Sequence, residues 1–161
     1  FRSWEILEES LEKVVFVLHY PAWEVAGCRV ALDKKITVTA GSYFCEAEDS
    51  YTGDFETLTV AAGVFNHKPD DPDQTTVLGS DRLAIWEHAS DTSVEPEDGM
   101  IGVAVVMPFA DEIVALDANK PHLAAVKTIK NGEKVSYSFG SCWSKGDVKT
   151  PEAWLEIVNA Q

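Results

Sequence analysis

The amino-acid sequence predicts a mostly β fold, an antiparallel β-sandwich that ends in one short helix. Apolar and polar residues alternate in many short segments, which is typical of half-buried strands. Residues 101–107 are continuously apolar, so they predict a central strand that is covered on both faces. Near the chain end, Thr150 is a favourable N-cap and Pro151 suits the first helical position.

The composition fits one domain, and we expect residues 1–161 to form a single β-sandwich. The chain has 161 residues and is 45% hydrophobic, enough for a sizeable core. Its formal net charge of −14 argues against a nucleic-acid partner, because phosphate binding requires a basic surface. We also expect no membrane span, since no apolar run approaches the roughly 20 residues that crossing requires.

Strand signals follow one another from the N-terminus. Residues 14–20 form a β-branched and aromatic run that is expected to stop at Pro21. In residues 36–47 the apolar parity changes at Gly41, which predicts a bulge or a corner between sheets. Further strands are predicted at residues 58–64 and 83–88.

A hairpin is predicted around Asn131 and Gly132, a pair typical of two-residue turns with positive φ at both positions. It would pair residues 122–129 with residues 134–141, with their apolar side chains facing the core. In that register His122 lies opposite Ser141, and the prediction is that His122 and Trp143 are neighbours.

Both chain ends contain apolar residues at helical spacing. Trp154, Leu155 and Val158 form one stripe of the predicted C-terminal helix. Residues 4–11 have a similar spacing, so a short N-terminal helix is predicted there as well.

The cysteines and acidic clusters leave their roles open. Cys28, Cys45 and Cys142 are either three buried thiols or one disulfide with one thiol. Residues 46–49 and 70–73 are acidic, and such stretches can bind calcium. Neither has the spacing of a known calcium loop, so we expect no metal site and no cofactor.

The histidines and tryptophans supply the other candidates for chemistry. His122 could be functional or an edge-of-core residue, whereas His19 and His67 are more typical of packing and of a solvated loop. Glu87 and His88 are expected on opposite faces of one strand, which argues against a single catalytic unit with Trp86.

Motifs in a fixed order resemble an uncharacterised bacterial family that is often encoded beside pectin- and rhamnogalacturonan-degrading enzymes. The sharpest motif is residues 137–147, followed by Pro151 to Trp154. Upstream matches occur at residues 20–23, 36–42, 60–63, 83–87, 102–108 and 122–123. Cys142 departs from the pattern, which has a small residue before Trp143.

The resemblance implies part of a galactose-mutarotase-like supersandwich. Family members are about twice as long, so this chain is expected to be the C-terminal portion of a longer protein. The family context implies a secreted, periplasmic or cell-surface protein. A second polypeptide segment or a homo-oligomer would complete its sheet.

The function that the resemblance implies is carbohydrate-active, on a pectic or other uronate-containing polysaccharide. A lyase needs a base at C5 of the uronate and cations near its carboxylate. The candidates are His122 and Tyr137 as the catalytic base, Arg82 and Lys145 as cations, and Trp86 and Trp143 as sugar platforms. A hydrolase, a non-catalytic glycan-binding module and a structural or assembly domain remain alternatives.

Overall fold

A computed structural model describes residues 1–25, 27–67, 69–89, 96–116 and 122–161. Its regular elements are β1 Ser3–Glu9, β2 Lys13–Val25, β3 Cys28–Thr39, β4 Phe44–Gly53, β5 Thr57–Phe65, β6 Thr75–Leu78, β7 Arg82–His88, β8 Met100–Val106, β9 Glu112–Leu116, β10 His122–Lys130, β11 Lys134–Trp143 and α1 Pro151–Asn159.

The strands form two antiparallel sheets. The larger sheet has the order β1-β2-β3-β4-β11-β8-β7-β6, and the smaller one has the order β5-β10-β9. The smaller sheet packs on one face of the larger sheet, here called the inner face, and α1 packs on the opposite face. The predicted fold class, a mostly β sandwich with one short C-terminal helix, is therefore confirmed.

Two apolar cores share the central strands of the large sheet. The inner core lies between the sheets and includes Leu83 and Val105, whereas the helix-side core includes Ala84 and Ala104. Alternate residues of β7 and β8 thus enter different cores. The prediction that residues 101–107 form a central strand covered on both faces is confirmed.

The C-terminal helix begins where the sequence predicts. The Thr150 side chain accepts a hydrogen bond from the backbone N–H of Ala153, and Pro151 is the first residue of α1. Trp154 and Val158 are buried against the large sheet. Trp154 stacks on Phe44 with ring centroids 5.6 Å apart, which ties the helix to β4.

The predicted hairpin between residues 122–129 and 134–141 is wrong. β10 pairs with β5 and β9, whereas β11 pairs with β4 and β8, so the chain changes sheets at Asn131 and Gly132. Gly132 has a φ of 82°, and the Asn131 side-chain amide donates to the Gly53 carbonyl at 2.6 Å. The turn is thus held by a third segment of chain rather than by a ladder between β10 and β11.

Three further expectations about the N-terminal half are corrected. Residues 4–11 form most of the edge strand β1 and its turn rather than a helix. β2 continues past Pro21, because its register shifts between Tyr20 and Trp23 and so accommodates a residue without an N–H. Gly41, with a φ of 78°, lies in the turn between β3 and β4, which are neighbours in one sheet.

The inner face of the first strands extends beyond the smaller sheet. Trp4 is 61% exposed and Ile6 is 46% exposed, and their partners Leu18 and Phe16 are half-buried. Within the described part of the chain, no helix is long and apolar enough to cross a membrane.

Candidate functional site

The strongest cluster of polar groups is built around Glu87, whose side chain is 1% exposed. Its carboxylate accepts a hydrogen bond from Nδ1 of His67 at 2.6 Å and one from the His67 backbone N–H at 3.2 Å. Glu87 lies on the same face of β7 as Leu83 and Ile85, which are core residues. The inner core therefore ends in a buried carboxylate that holds one histidine in a defined orientation.

A second histidine, His122, lies near His67 because both rings contact Phe65. The Phe65 ring makes edge-to-face contacts with His67 and His122, at centroid distances of 4.7 and 4.9 Å. The two imidazoles are therefore at most roughly 10 Å apart. His122 is the first residue of β10 and is exposed, directly opposite Phe65 on β5.

Trp143 faces the same end of the sandwich. Ile101 on β8 pairs with Glu87 on one side and with Trp143 on the other, so all three point to the inner face. Two strand spacings separate Glu87 from Trp143, about 10 Å. We call this group, Phe65, His67, Glu87, His122 and Trp143, the histidine end.

A cation accompanies the exposed indole. Trp143 is 48% exposed, and its Nε1–H donates to the Asp98 carbonyl at 2.7 Å. The Lys145 ammonium lies 5.6 Å from the Trp143 ring centroid and 4.0 Å from an Asp98 carboxylate oxygen. The indole is thus fixed in place while about half of its surface remains open to solvent.

The geometry of the histidine end suits proton transfer. Because Glu87 accepts from Nδ1, a neutral His67 carries its lone pair on Nε2 and can act there as a base. His122 offers a second imidazole at most roughly 10 Å away, on the other side of the Phe65 ring. The arrangement therefore contains two acid–base groups and an aromatic surface beside a cation.

Tyr137 belongs to a different part of the inner face. It precedes Trp143 on β11 by six residues, which corresponds to roughly 20 Å. Its hydroxyl contacts the Lys34 ammonium and donates to Asp49 at 3.4 Å. Lys34 and Asp49 form a 2.7 Å ion pair across β3 and β4.

The Tyr137 hydroxyl keeps its proton at neutral pH. Burial, followed by the negative charge of Asp49, raises the pKa of Tyr137 above its usual range. Tyr51 hydrogen bonds to the same carboxylate, and burial and Asp49 raise its pKa in the same direction. A neutral Tyr137 can donate a hydrogen bond or a proton, which fits an acid better than the predicted base. A cleft of about 310 Å³ adjoins it, lined in part by Lys34 and Gly63.

Two predicted substrate contacts are engaged in the fold. Trp86 is 4% exposed in the helix-side core, so a sugar could reach its ring only if α1 moved away. Arg82 donates from Nε to Asp81 at 2.8 Å and from a guanidinium nitrogen to the Val158 carbonyl at 3.2 Å, near the end of α1. Arg82 pairs with Val106 on β8, whereas Trp143 pairs with Ile101 on the same strand. These two positions are five residues apart, which corresponds to roughly 17 Å along the strand.

The predicted site residues therefore separate into groups. The structure brings His122, Trp143 and Lys145 to one end of the sandwich, and it places Tyr137, Arg82 and Trp86 elsewhere. The hairpin register that predicted His122 beside Trp143 is wrong. His122 is linked to Glu87 through Phe65 and His67. Glu87 is in turn level with Trp143 in the large sheet, so His122 and Trp143 lie at the same end of the sandwich. Their catalytic and substrate-binding roles stay predictions.

His67 and Glu87 were not selected from the sequence. The available signal was a carboxylate at an inner-facing position of an otherwise apolar strand, because a buried glutamate needs a partner. The acidic residues 46–49 lie within β4 and alternate between its faces, so they do not converge as a calcium loop would. All three cysteines are half-buried, and Cys45 and Cys142 are free thiols.

Three solved structures align with most of this chain, and the first of them supports the fold class. A protein from the human microbiome that is described as a kojibiose phosphorylase aligns with a TM-score of 0.53 and 7% identity. The alignment covers 92% of this chain and 20% of that one. The Slr1438 protein from Synechocystis sp. PCC 6803 aligns at 0.40 and 8%, over 87% and 66%. A galactose mutarotase related enzyme from Lactobacillus acidophilus aligns at 0.34 and 10%, over 92% and 74%.

The chain spans about a fifth of the length of the phosphorylase, and at these identities the likeness concerns the fold alone. No relative among curated proteins matches the chain. One family model matches residues 1–161 in full, under the description domain of unknown function, DUF4861. The expected membership of an uncharacterised family is thus confirmed, and the chain belongs to the DUF4861 family.

Proposed function

We propose that this domain is carbohydrate-active and binds a uronate-containing pectic oligosaccharide at the histidine end. The two histidines there would transfer protons to and from the bound sugar. The observation that carries the proposal is the pair formed by His67 and the buried Glu87, with His122 across Phe65. The likeness to a protein described as a kojibiose phosphorylase supports a sugar ligand only through the shared fold.

The reaction that the site supports best is β-elimination at a uronate. A neutral imidazole removes the proton at C5, the C4–O bond breaks, and the electron pair forms the C4–C5 double bond. The other histidine starts as an imidazolium and gives its proton to the leaving oxygen, which departs as a hydroxyl group. Exchange of protons with water then restores the starting state of both imidazoles. Lys145 would neutralise the uronate carboxylate, and Trp143 would hold the sugar face.

The charge of the molecule supports a short and locally bound substrate. A net charge of −14 repels a polyanion, so binding depends on the cation beside the site, Lys145. Lys145 is 46% exposed and lies against the half-exposed Trp143, so it can meet a carboxylate without leaving the protein surface.

The first prediction concerns turnover. On polygalacturonate and rhamnogalacturonan oligosaccharides, we expect the protein to generate unsaturated products that are followed by ultraviolet absorbance. His67→Gln and His122→Gln should each lower the rate by about 100-fold, because each removes one acid–base group. The glutamine amide at position 67 can still donate to Glu87, which limits the structural damage.

The matched control is His19→Gln. His19 also pairs with a carboxylate, Asp33 at 2.7 Å, but it lies on β2 away from the histidine end. This variant should keep the wild-type rate. Absence of any turnover on uronate-containing or neutral oligosaccharides contradicts the catalytic proposal.

A non-catalytic glycan-binding module is the second candidate, and the half-exposed Trp143 favours it. In that case the wild-type protein would bind oligosaccharides without changing them. Trp143→Ala would then weaken binding by about tenfold, as expected for loss of a stacking surface.

A further inference from the structure

A second cluster of ligating groups lies at the end of β7, outside the histidine end. Asp71, Asp73 and His88 each offer one ligand atom, and these atoms all lie within 4.8 Å of one another. His88 Nε2 and an Asp73 carboxylate oxygen are 3.8 Å apart. Two ligands of one transition-metal ion are about 3–4 Å apart, so small side-chain rotations would complete the set.

The strand register explains why these residues meet. Thr75 on β6 pairs with Trp86 on β7, and continuing that ladder by two residues sets Asp73 opposite His88. Asp71 is held by its own loop, where its carboxylate accepts from the Asp73 backbone N–H at 3.0 Å. The ligand atoms thus come from two segments whose relative position is set by the sheet.

The charge of the cluster calls for a cation. Within the described residues, neither Asp71 nor Asp73 forms an ion pair with a lysine or arginine, and the partner of Asp73 is His88. Two carboxylates this close repel each other, and a divalent ion bound between them would attract both and offset that repulsion.

We propose that Asp71, Asp73 and His88 bind one divalent transition-metal ion. An imidazole with two carboxylates suits Mn²⁺ or Zn²⁺, whereas Ca²⁺ prefers a shell made entirely of oxygen. Three protein ligands leave the remaining positions to water, in keeping with the exposure of Asp73. The ion would fasten the segment between β5 and β6 to the end of β7.

The test is titration of Mn²⁺ into chelator-treated protein that carries no histidine tag, followed by calorimetry and by the electron paramagnetic resonance of bound Mn²⁺. Mn²⁺ is chosen because thiolates bind it weakly, so the cysteines do not interfere. We expect one ion per chain, and affinity at least about tenfold lower in Asp73→Asn and in His88→Gln.

Hydrogen exchange gives a readout that locates the ion. Mn²⁺ should slow exchange of the backbone amides in residues 70–74 in the wild-type protein and leave them unchanged in His88→Gln. His19→Gln is the matched control, since His19 and Asp33 form a histidine–carboxylate pair without a third ligand within the described residues, and its Mn²⁺ affinity should equal that of the wild type.

Three outcomes would overturn the proposal: no binding of Mn²⁺ or Zn²⁺, equal affinity in wild type and His88→Gln, or a preference for Ca²⁺ that is insensitive to His88. None of these measurements depends on turnover, so the metal site and the proposed carbohydrate function can fail separately.

Discussion

At the scale of single residues, Glu87 places the strongest constraint on its surroundings. A carboxylate with 1% of its side chain exposed loses nearly all of its hydration, a penalty of several kcal/mol for an isolated charge. The two hydrogen bonds from His67 offset that loss. Because the offset depends on one residue, the position of His67 is coupled to the stability of the inner core.

Cys142 provides a prediction about reactivity. Burial raises its pKa to about 11, although a hydrogen bond with the Gly102 backbone acts in the opposite direction. At pH 8 its thiolate fraction should be about 100-fold below that of a thiol with a pKa of 9. We expect slow alkylation of Cys142 by iodoacetamide, with a rate that rises through pH 11 rather than pH 9.

Peptide mass spectrometry of timed alkylation reports the rate at each cysteine separately. Protein unfolded in urea is the control, and there Cys142 should react as an ordinary thiol. A midpoint near pH 9 in the folded protein would contradict the prediction.

The sequence contained part of the candidate site. His122 and Trp143 were selected through a hairpin register that the structure contradicts, and Lys145 through the family resemblance. All three nevertheless lie at or near strand ends, where side chains reach solvent. The pair of His67 and Glu87 was missed because it joins residues 20 positions apart, one in the segment after β5 and the other on β7, a strand of the other sheet. Strand parity showed which face Glu87 occupies, but parity does not identify what packs on that face.

At the scale of elements, the contact between α1 and β8 requires a glycine. A Cβ at Gly102 would lie 2.6 Å from Cys142 Sγ and 2.8 Å from Trp154 Cδ1. Trp154 is fully buried and stacked on Phe44, so it has little freedom to withdraw. The absence of a side chain at residue 102 lets the indole lie directly on the sheet.

Gly102→Ala should therefore displace the helix. We expect a loss of about 1–3 kcal/mol in the free energy of unfolding, from overpacking, together with a weaker near-ultraviolet circular dichroism signal from Trp154. Urea unfolding measures the first effect. Thr150→Ala, which removes the N-cap, should cost about 1 kcal/mol and leave the Trp154 signal intact.

Prediction of the elements succeeded where one physical cause dominated. The continuous apolar run of β8 requires cover on both faces, and Thr150 with Pro151 has few uses other than starting a helix. Asn131 and Gly132 were ambiguous, because a tight turn can join strands of one sheet or of two. Exposed β1 carries apolar residues whose spacing does not distinguish an uncovered strand from a helix.

At the scale of the whole molecule, two buried hydroxyls and one buried thiol should make the free energy of unfolding decrease as the pH becomes alkaline. Tyr51, Tyr137 and Cys142 have pKa values raised above those of the unfolded chain. Their contribution is complete below about pH 9, where both states are protonated. As pH rises further, the unfolded chain loses these protons first, and stability falls.

The thermal midpoint should therefore decrease steadily between about pH 9 and pH 11. General repulsion from the net charge of −14 acts in the same direction, so the buried groups are isolated by comparison with Tyr51→Phe and Tyr137→Phe. Each variant should show a shallower decrease. Parallel curves for variant and wild type would contradict the assignment to these hydroxyls.

The central position of β11 has a consequence for folding kinetics. Its neighbour β4 lies more than 80 residues earlier, as Lys134 opposite Ser50 illustrates, and β5 likewise precedes its partner β10 by a long stretch of chain. A chain emerging from the ribosome cannot close its large sheet until β11, the last of the described strands, is available. Such high contact order predicts slow folding, and the edges of β4 and β8 that face β11 stay open to association for as long as β11 is missing.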